Sequence, residues 1–465
     1  MLMPMNNSKE NSSIALNDGD KIAVLGGGPS GSFFSIFALK LAKQIGKDID
    51  LTIYEHKSFS NEGPSSCNMC AGVISESLVQ LLAIEGICLK SPIVQRAIDS
   101  YRFQTISGDV LLHSLNEQRG IATVYRGGGP VSKITSEADE NPESEKISFD
   151  DFLLDYAEKE GAKIENIRVD DVKLNNEKPQ IFSNKSILSD ADLVVGACGI
   201  NTKTAKMFEE LGIGYTQPSV IKAFQSEIHI GREKVSTQFG NTIHIFLINQ
   251  PDVKFAAITP KGSYVTVSML GKDITKQTVI DFLNYPVVKN KFPDSWNITD
   301  TFCRCVPKIN VGASRHPFAD RIVMIGDASS ARLYKDGIGS AYLTAKAAAN
   351  TAILHGVSCS DFYKNYYPAC KKINGDNLFG NLMFAFTDTV NKTPVIREAL
   401  LNILRNEQKR PELGYRCSTI LWDMFTGNEL YTDIFLRALH PKLLLRILVN
   451  IIGTAFIRLK TIWRY

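Results

Sequence analysis

Gly26, Gly28 and Gly31 follow the apolar run that starts at Lys21 and open a long apolar pattern of helical period. That order of strand, glycine turn and helix is what a dinucleotide pyrophosphate needs. Gly26 permits the sharp turn, Gly28 lets backbone approach phosphate, and Gly31 lets the helix pack close to the sheet. Pro29 and Ser30 complete the turn, beyond which the helix N-terminus offers free N–H groups and a positive dipole end. A second apolar strand, Leu51 to Glu55, ends in an acid 24 residues after Gly31, where a carboxylate can hold an adenosine ribose. The spacing predicts a dinucleotide site rather than a glycine-rich surface turn.

A second strand-and-turn pair comes about 300 residues later, where Arg321–Ile325 runs into Gly326 and Asp327. Gly337, Ile338 and Gly339 then open an alanine-rich helix. A simple NAD dehydrogenase has no use for this repetition. An acid here can accept hydrogen bonds from a ribityl chain, and the helix can aim its N-terminus at a flavin and its pyrophosphate. Arg126 sits in another glycine-rich loop, where it can hold an anionic group or contact the flavin, or simply be a solvated arginine on a tight turn. Cys67 and Cys70 form a C-x-x-C that fits a flavin-proximal thiol or packing segment, a redox disulfide, half a zinc site, or an inert loop. No second C-x-x-C exists, and Cys303 and Cys305 have the wrong spacing for a usual zinc knuckle, so no metal site is expected. His244 and His316 lack ligand partners at useful spacing and read as structural. Arg304 and Lys308 read as surface cations.

These residues need a scaffold, and the composition permits a large one. The 465 residues are 44% apolar and 22% charged, ordinary for a globular protein of two or three units. A net charge of +3 excludes a strong nucleic-acid footprint. Nine scattered cysteines are not a secreted disulfide framework and point to a reducing, cytoplasmic setting. Residues 1–20 are polar, lack the apolar core of a signal peptide, and read as a disordered extension. Residues 136–147 read as an exposed acidic loop. Ser148 begins a capped amphipathic helix with Phe149, Phe152, Leu153 and Tyr156 on one face. The segment from Ala191 to Gly199 reads as a buried strand ending in glycine turns, and the β-branched runs between about 220 and 270 as an antiparallel sheet roofing a pocket.

In combination these motifs resemble the FAD-dependent family that includes p-hydroxybenzoate hydroxylase and the geranylgeranyl reductases. The matching text is GGGPSG at 26–31, ADLVVGACG in mid-chain, and IGDASS followed by DGIGSAY, spanning most of the protein. The mid-chain segment ends in Cys198-Gly199 where the family has Asp-Gly, so no polar role is carried over there. Cys70, Ala71 and Gly72 resemble the Cys-small-Gly segment of the geranylgeranyl-reductase branch, as does FDDFLLDYAEKEGA at 149–162. The resemblance implies an α/β fold: a Rossmann-like FAD-binding domain, an antiparallel-sheet substrate domain and a helical C-terminal region. It implies that FAD is held by Gly26, Gly28, Pro29, Ser30, Gly31, Glu55, Cys70, Ala71, Gly72, Arg126, Gly326, Asp327, Gly337, Ile338 and Gly339, with Cys70 the candidate beside the reacting carbon. Where relatives carry a Tyr-x-Trp-x-Phe-Pro wall for a prenyl chain, this chain has Phe255 to Gly262 with Ala257 in place of the indole, which should reshape the cavity.

The expected reaction is reduction of carbon–carbon double bonds in a hydrophobic, isoprenoid or quinone-type substrate. A monooxygenase or halogenase, and a non-catalytic lipid-associated flavoprotein, are the alternatives. No second G-x-G-x-x-G offers a separate nicotinamide domain, so NADPH must bind transiently or a ferredoxin-like or quinol donor must supply electrons. The expected divisions are 21–215 for the first part of the FAD domain (with substrate-domain strands near 97–126), 216–300 for the substrate domain, 301–375 for the second part of the FAD domain, and 376–465 for the helical region. Its tail, 437–465, has six basic residues and no acid, and ends in aromatics at Trp463 and Tyr465. Arg446 and Asn450 interrupt it, so it fits a helix lying in a membrane interface with its cations on anionic lipid; a helix packed on the body or a dimer contact is the alternative.

Overall fold

The computed structural model describes residues 13–61, 63, 66, 70–113, 120–128, 148–200, 203–292, 303–410, 412 and 416–462. The acidic loop at 136–147, Cys67 and the terminal aromatics lie outside them. Residues 13–19, expected as part of a disordered extension, instead pack on the body: Leu16 is buried, the Val357 N–H donates to the Ile14 carbonyl at 2.8 Å, and Ser13 Oγ donates to the His355 carbonyl at 2.7 Å. Polar composition hid a segment held mainly through its backbone.

Asp20–Leu25 lies near the centre of a six-stranded sheet, between Ile49–Tyr54 and Leu193–Gly196. Both pairings are parallel, with Ile22 opposite Leu51 on one side and Leu193 on the other. Lys163–Glu165 closes one edge, and Ile322–Met324 with the antiparallel Phe318–Ala319 closes the other. Successive side chains of a strand point to opposite faces. Ile22 and Val24 therefore enter one core and Ala23 and Leu25 another, as central strands covered on both faces require. On the first face the helix Pro29–Gln44 packs against Gly337–Asn350, with the Phe33 and Phe37 rings edge-on to Tyr342 at 5.6 and 5.1 Å. Burying each such ring contributes roughly 1.5–3 kcal/mol. The helix Phe149–Glu160 completes that layer, and its Ser148 N-cap accepts from the Asp151 N–H at 3.2 Å.

The second sheet is built chiefly from Val220–His229, Thr242–Leu247, Val253–Lys261 and Tyr264–Gly271. Its pairings are antiparallel with one exception: Thr242–Leu247 runs parallel to Ser100–Thr105, so an early segment of chain is inserted in the sheet. One face packs on short helices through Phe246, Val267 and Phe282. The other carries Phe255 and Ala257 toward the C-terminal helices and toward Leu333 and Tyr334. The helical region begins at Tyr367, earlier than the expected boundary at 376, and continues through Pro394–Lys409, Cys417–Thr426, Tyr431–Ala438 and Pro441–Ile462. Among the described residues no helix is long and apolar enough to cross a membrane.

Candidate functional site

The glycine turn is shaped as its spacing demands. Gly26 has φ +117°, a conformation an L side chain rarely adopts, and its N–H donates to the Tyr54 carbonyl at 3.0 Å. A Cβ on Gly31 would collide with the Gly26 carbonyl oxygen. The helix starts at Pro29 with Gly28 as N-cap; no side chain caps it, no acid lies in its first turn, and Pro29, Ser30 and Gly31 are buried. Buried N–H groups without a capping acceptor suit the phosphates of a dinucleotide. Glu55 stands against this turn, with Oε2 accepting from the Gly27 N–H at 2.9 Å and Oε1 from the Lys57 N–H at 2.8 Å. Its remaining lone pairs are available to ribose hydroxyls.

The second turn, Gly326–Ala328, is brought to the first. Gly326 has φ +61°, and a Cβ there would lie 2.8 Å from the Ser30 side chain. Three side chains pin the turn: Asn310 Nδ2 donates to the Asp327 carbonyl at 3.0 Å, Tyr215 Oη to the Ala328 carbonyl at 2.6 Å, and Thr344 Oγ1 accepts from the Gly326 N–H at 2.9 Å. Burial pushes the Asp327 carboxyl above the usual carboxylate range, and the nearby Arg126 charge opposes that shift. The following helix does carry an acid at its start. Asp336, in the left-handed region at φ +51°, caps it by accepting from the Gly339 N–H at 3.2 Å, and Arg332 donates to the same carboxylate at 2.8 Å.

Arg126 is not the solvated arginine that a tight turn would allow. It makes a two-pronged pair with the fully buried Asp150, through Nε to Oδ1 and through Nη2 to Oδ2, the latter at 2.8 Å. The Phe149 N–H donates to the Tyr125 carbonyl at 2.8 Å, so the chain that leaves at Arg126 returns beside its starting point. Cys70 is half-buried and carries a free thiol, whose sulfur accepts weakly from the Gly72 N–H at 3.4 Å. Gly72 has φ +69° and faces the Val124 carbonyl and the Lys261 ammonium, leaving no room for a Cβ. Cys198 is half-buried; Arg304, Lys308 and His316 are exposed. His244 is buried, hydrogen-bonded to Gln104 at 2.8 Å, and lowered by burial to about 3, so its ring is neutral and structural. Among the described residues no cluster could hold a metal ion.

Sequence reasoning missed a buried polar group on the second sheet. Phe255, Ala257, Thr259 and Lys261 alternate onto one strand face, and the signal was that alternation ending in a lysine. Lys261, only 1% exposed, donates to Glu227 Oε1 at 3.2 Å, while Thr266 donates to both Glu227 oxygens at 2.9 Å. The Lys261 ammonium lies 5.1 Å from the centre of the Tyr125 ring. The hydroxyls of Tyr125 and Ser268 are buried with no hydrogen-bond partner among the described residues. At the other end of that face, Phe255 stacks on Phe384 at 5.9 Å and meets Phe425 at 5.4 Å, and Tyr334 meets Phe384 at 4.8 Å. Beside Ala257, where the resemblance would place an indole, the aromatic packing comes from Phe255, Tyr334, Phe384 and Phe425.

No protein-family model matches the chain, and no curated protein matches it in sequence. Solved structures do match. A geranylgeranyl bacteriochlorophyll reductase-like protein from Thermoplasma acidophilum aligns at TM-score 0.62 and 18% identity over 91% of this chain and 99% of its own. A flavoprotein/dehydrogenase from Cytophaga hutchinsonii aligns at 0.63 and 14% identity over 94% and 100%. The chain has the fold of the FAD-dependent oxidoreductases. A flavin-dependent brominase aligns at 0.58 and 14% identity over 83% of this chain and 93% of its own, and oxygenases share the fold as well. The fold therefore spans several flavin reactions, and the fold alone does not choose among them.

Proposed function

We propose that the chain is an FAD-dependent reductase of carbon–carbon double bonds in a hydrophobic, isoprenoid or quinone-type substrate. The uncapped, buried start of the helix at Pro29 would hold the pyrophosphate, Glu55 the adenosine ribose, and Asp327 the ribityl side. When bound, FAD supplies the hydride. The observation that carries the reading is the strand face from Phe255 to Lys261, apolar at one end and closed by a buried ion pair beside Gly72 at the other. The aromatic end suits a hydrocarbon chain and keeps water away. The polar end holds a proton at Tyr125 Oη, whose pKa burial and then the Glu227 charge keep well above its ordinary value. A proton would have to reach the second alkene carbon, and Tyr125 Oη and the Cys70 thiol are the candidate sources, each needing resupply from solvent before the next turnover. Electrons would arrive from NADPH bound transiently or from a ferredoxin-like partner.

Anaerobic protein loaded with FAD and reduced by dithionite should be reoxidised by a polyprenyl lipid or quinone. The product should gain two hydrogens for each double bond reduced. A product that gains oxygen or halogen, and forms only in air, moves the chain to the oxygenase or halogenase reading. Folded protein that takes up no FAD removes both.

A further inference from the structure

The helix Pro441–Ile462 turns part of the charge expected on lipid inward instead. The sequence assigned Arg446 and Arg458 to anionic lipid, but both turn toward the body. Arg446 pairs with Glu407 on Pro394–Lys409, and Glu407 is almost fully buried, accepting also from the Cys417 and Ser418 N–H groups at 2.9 and 2.8 Å. Arg458 grips Glu398 through two bonds of 2.8 and 2.6 Å. Leu443 and Thr454 are buried on this same side. What faces outward is apolar: Leu445, Leu448, Val449, Ile452, Phe456 and Leu459 are each 48–64% exposed. At 3.6 residues per turn these six fall within an arc of about 100°. The preceding helix extends the exposed apolar surface with Leu436.

We infer that this face docks on an anionic lipid surface, the helix lying flat in one leaflet. A contiguous apolar patch of this kind marks an interaction surface, and its charges select the occupant. Lys442 and Lys460 are exposed and lie 18 residues, five whole turns, apart along one margin of the stripe. No acid occurs from Ile434 to Ile462, and Glu398 and Glu407, which pair with this helix, do so on its inner side. A second copy seated antiparallel on the stripe would set lysines against lysines, and one seated parallel would offer them no acid. Phosphate-bearing headgroups give those lysines a counter-charge, and acyl chains cover the leucines. The helix is too polar to span. With two exposed lysines at its margin among the described residues, apolar insertion supplies most of the binding.

The test uses the full chain without substrate, so its outcome is independent of the reaction proposed above. Co-sedimentation with vesicles of phosphatidylcholine containing phosphatidylglycerol should pellet the protein. Leu448→Glu with Ile452→Glu should weaken binding about tenfold or more, with flavin content and thermal midpoint unchanged because both residues face outward. Lys442→Gln with Lys460→Gln should weaken it only several-fold, and only on the anionic vesicles. Protein that stays in the supernatant at low salt overturns the proposal. So does a concentration-dependent dimer in sedimentation velocity that Leu448→Glu dissociates, since the face then belongs to a second copy.

Discussion

Two helices in this fold begin with closely spaced glycines, and their N-termini are not equivalent. The one starting at Pro29 has no capping side chain and no acid in its first turn, and its opening residues are buried. The one starting at Gly337 already has an anion, the Asp336 carboxylate, which is held by Gly339, Arg332 and Ser75. A helix N-terminus attracts negative charge through its free N–H groups and its dipole. The first is therefore left for a ligand to complete, whereas the second is largely satisfied from within. Glycine spacing marks both turns, but only the neighbouring side chains tell an anion-seeking terminus from one that positions.

The widest gap should appear with Gly31→Val. Its Cβ cannot coexist with the Gly26 carbonyl, so the turn must open, and flavin content measured by absorbance should fall to near zero. Asp327→Ala should come next, losing most of the flavin while circular dichroism stays unchanged, because the turn is pinned by Asn310, Tyr215 and Thr344 through groups the substitution leaves intact. Asp336→Asn keeps a capping oxygen and removes the charge. Flavin affinity should drop less than about tenfold, the scale of one dipole interaction, while thermal stability falls because Arg332 loses its charged partner and keeps the Gly427 carbonyl. If Asp336→Asn empties the protein of flavin as thoroughly as Gly31→Val, the two termini are equivalent after all.

The smallest effect is one of pH. Burial, reinforced by Arg332, lowers Lys335 beside this cap to about 7. Unfolded lysine titrates near 10.4, so between these values the unfolded chain holds the extra proton. Stability should therefore rise with pH from about 7 to 10, by at most about 1.4 kcal/mol per pH unit. Lys335→Met should flatten that slope in thermal melts. The terminus at Pro29 has no titratable group in its first turn, so pH should leave it untouched.

The contrast also locates what a sequence can disclose. The six-stranded sheet was legible because strand, turn and helix are consecutive, and glycine spacing states a backbone requirement directly. The Arg126–Asp150 pair was not, since the two residues meet only because the chain returns from Arg126 to Phe149. Lys261 was visible in the text, but its partner Glu227 sits two strands away in the sheet order. The apolar, basic composition of the last helix was plain in the text. It could not say which side the body would take, because that is decided by Glu398 and Glu407 on another helix.

The central sheet draws its adjacent strands from 322–324, 193–196, 20–25 and 49–54. Most of the chain must therefore leave the ribosome before the strand at 322–324 can join, and the long loops this closes make assembly slow relative to local helix formation. During synthesis the exposed edge of the strand at 193–196 waits unpaired, a surface prone to wrong partners. Truncated chains ending before residue 322 should accordingly be recovered with chaperones or in inclusion bodies, whereas loss of the last helix should leave a chain that still completes its sheet.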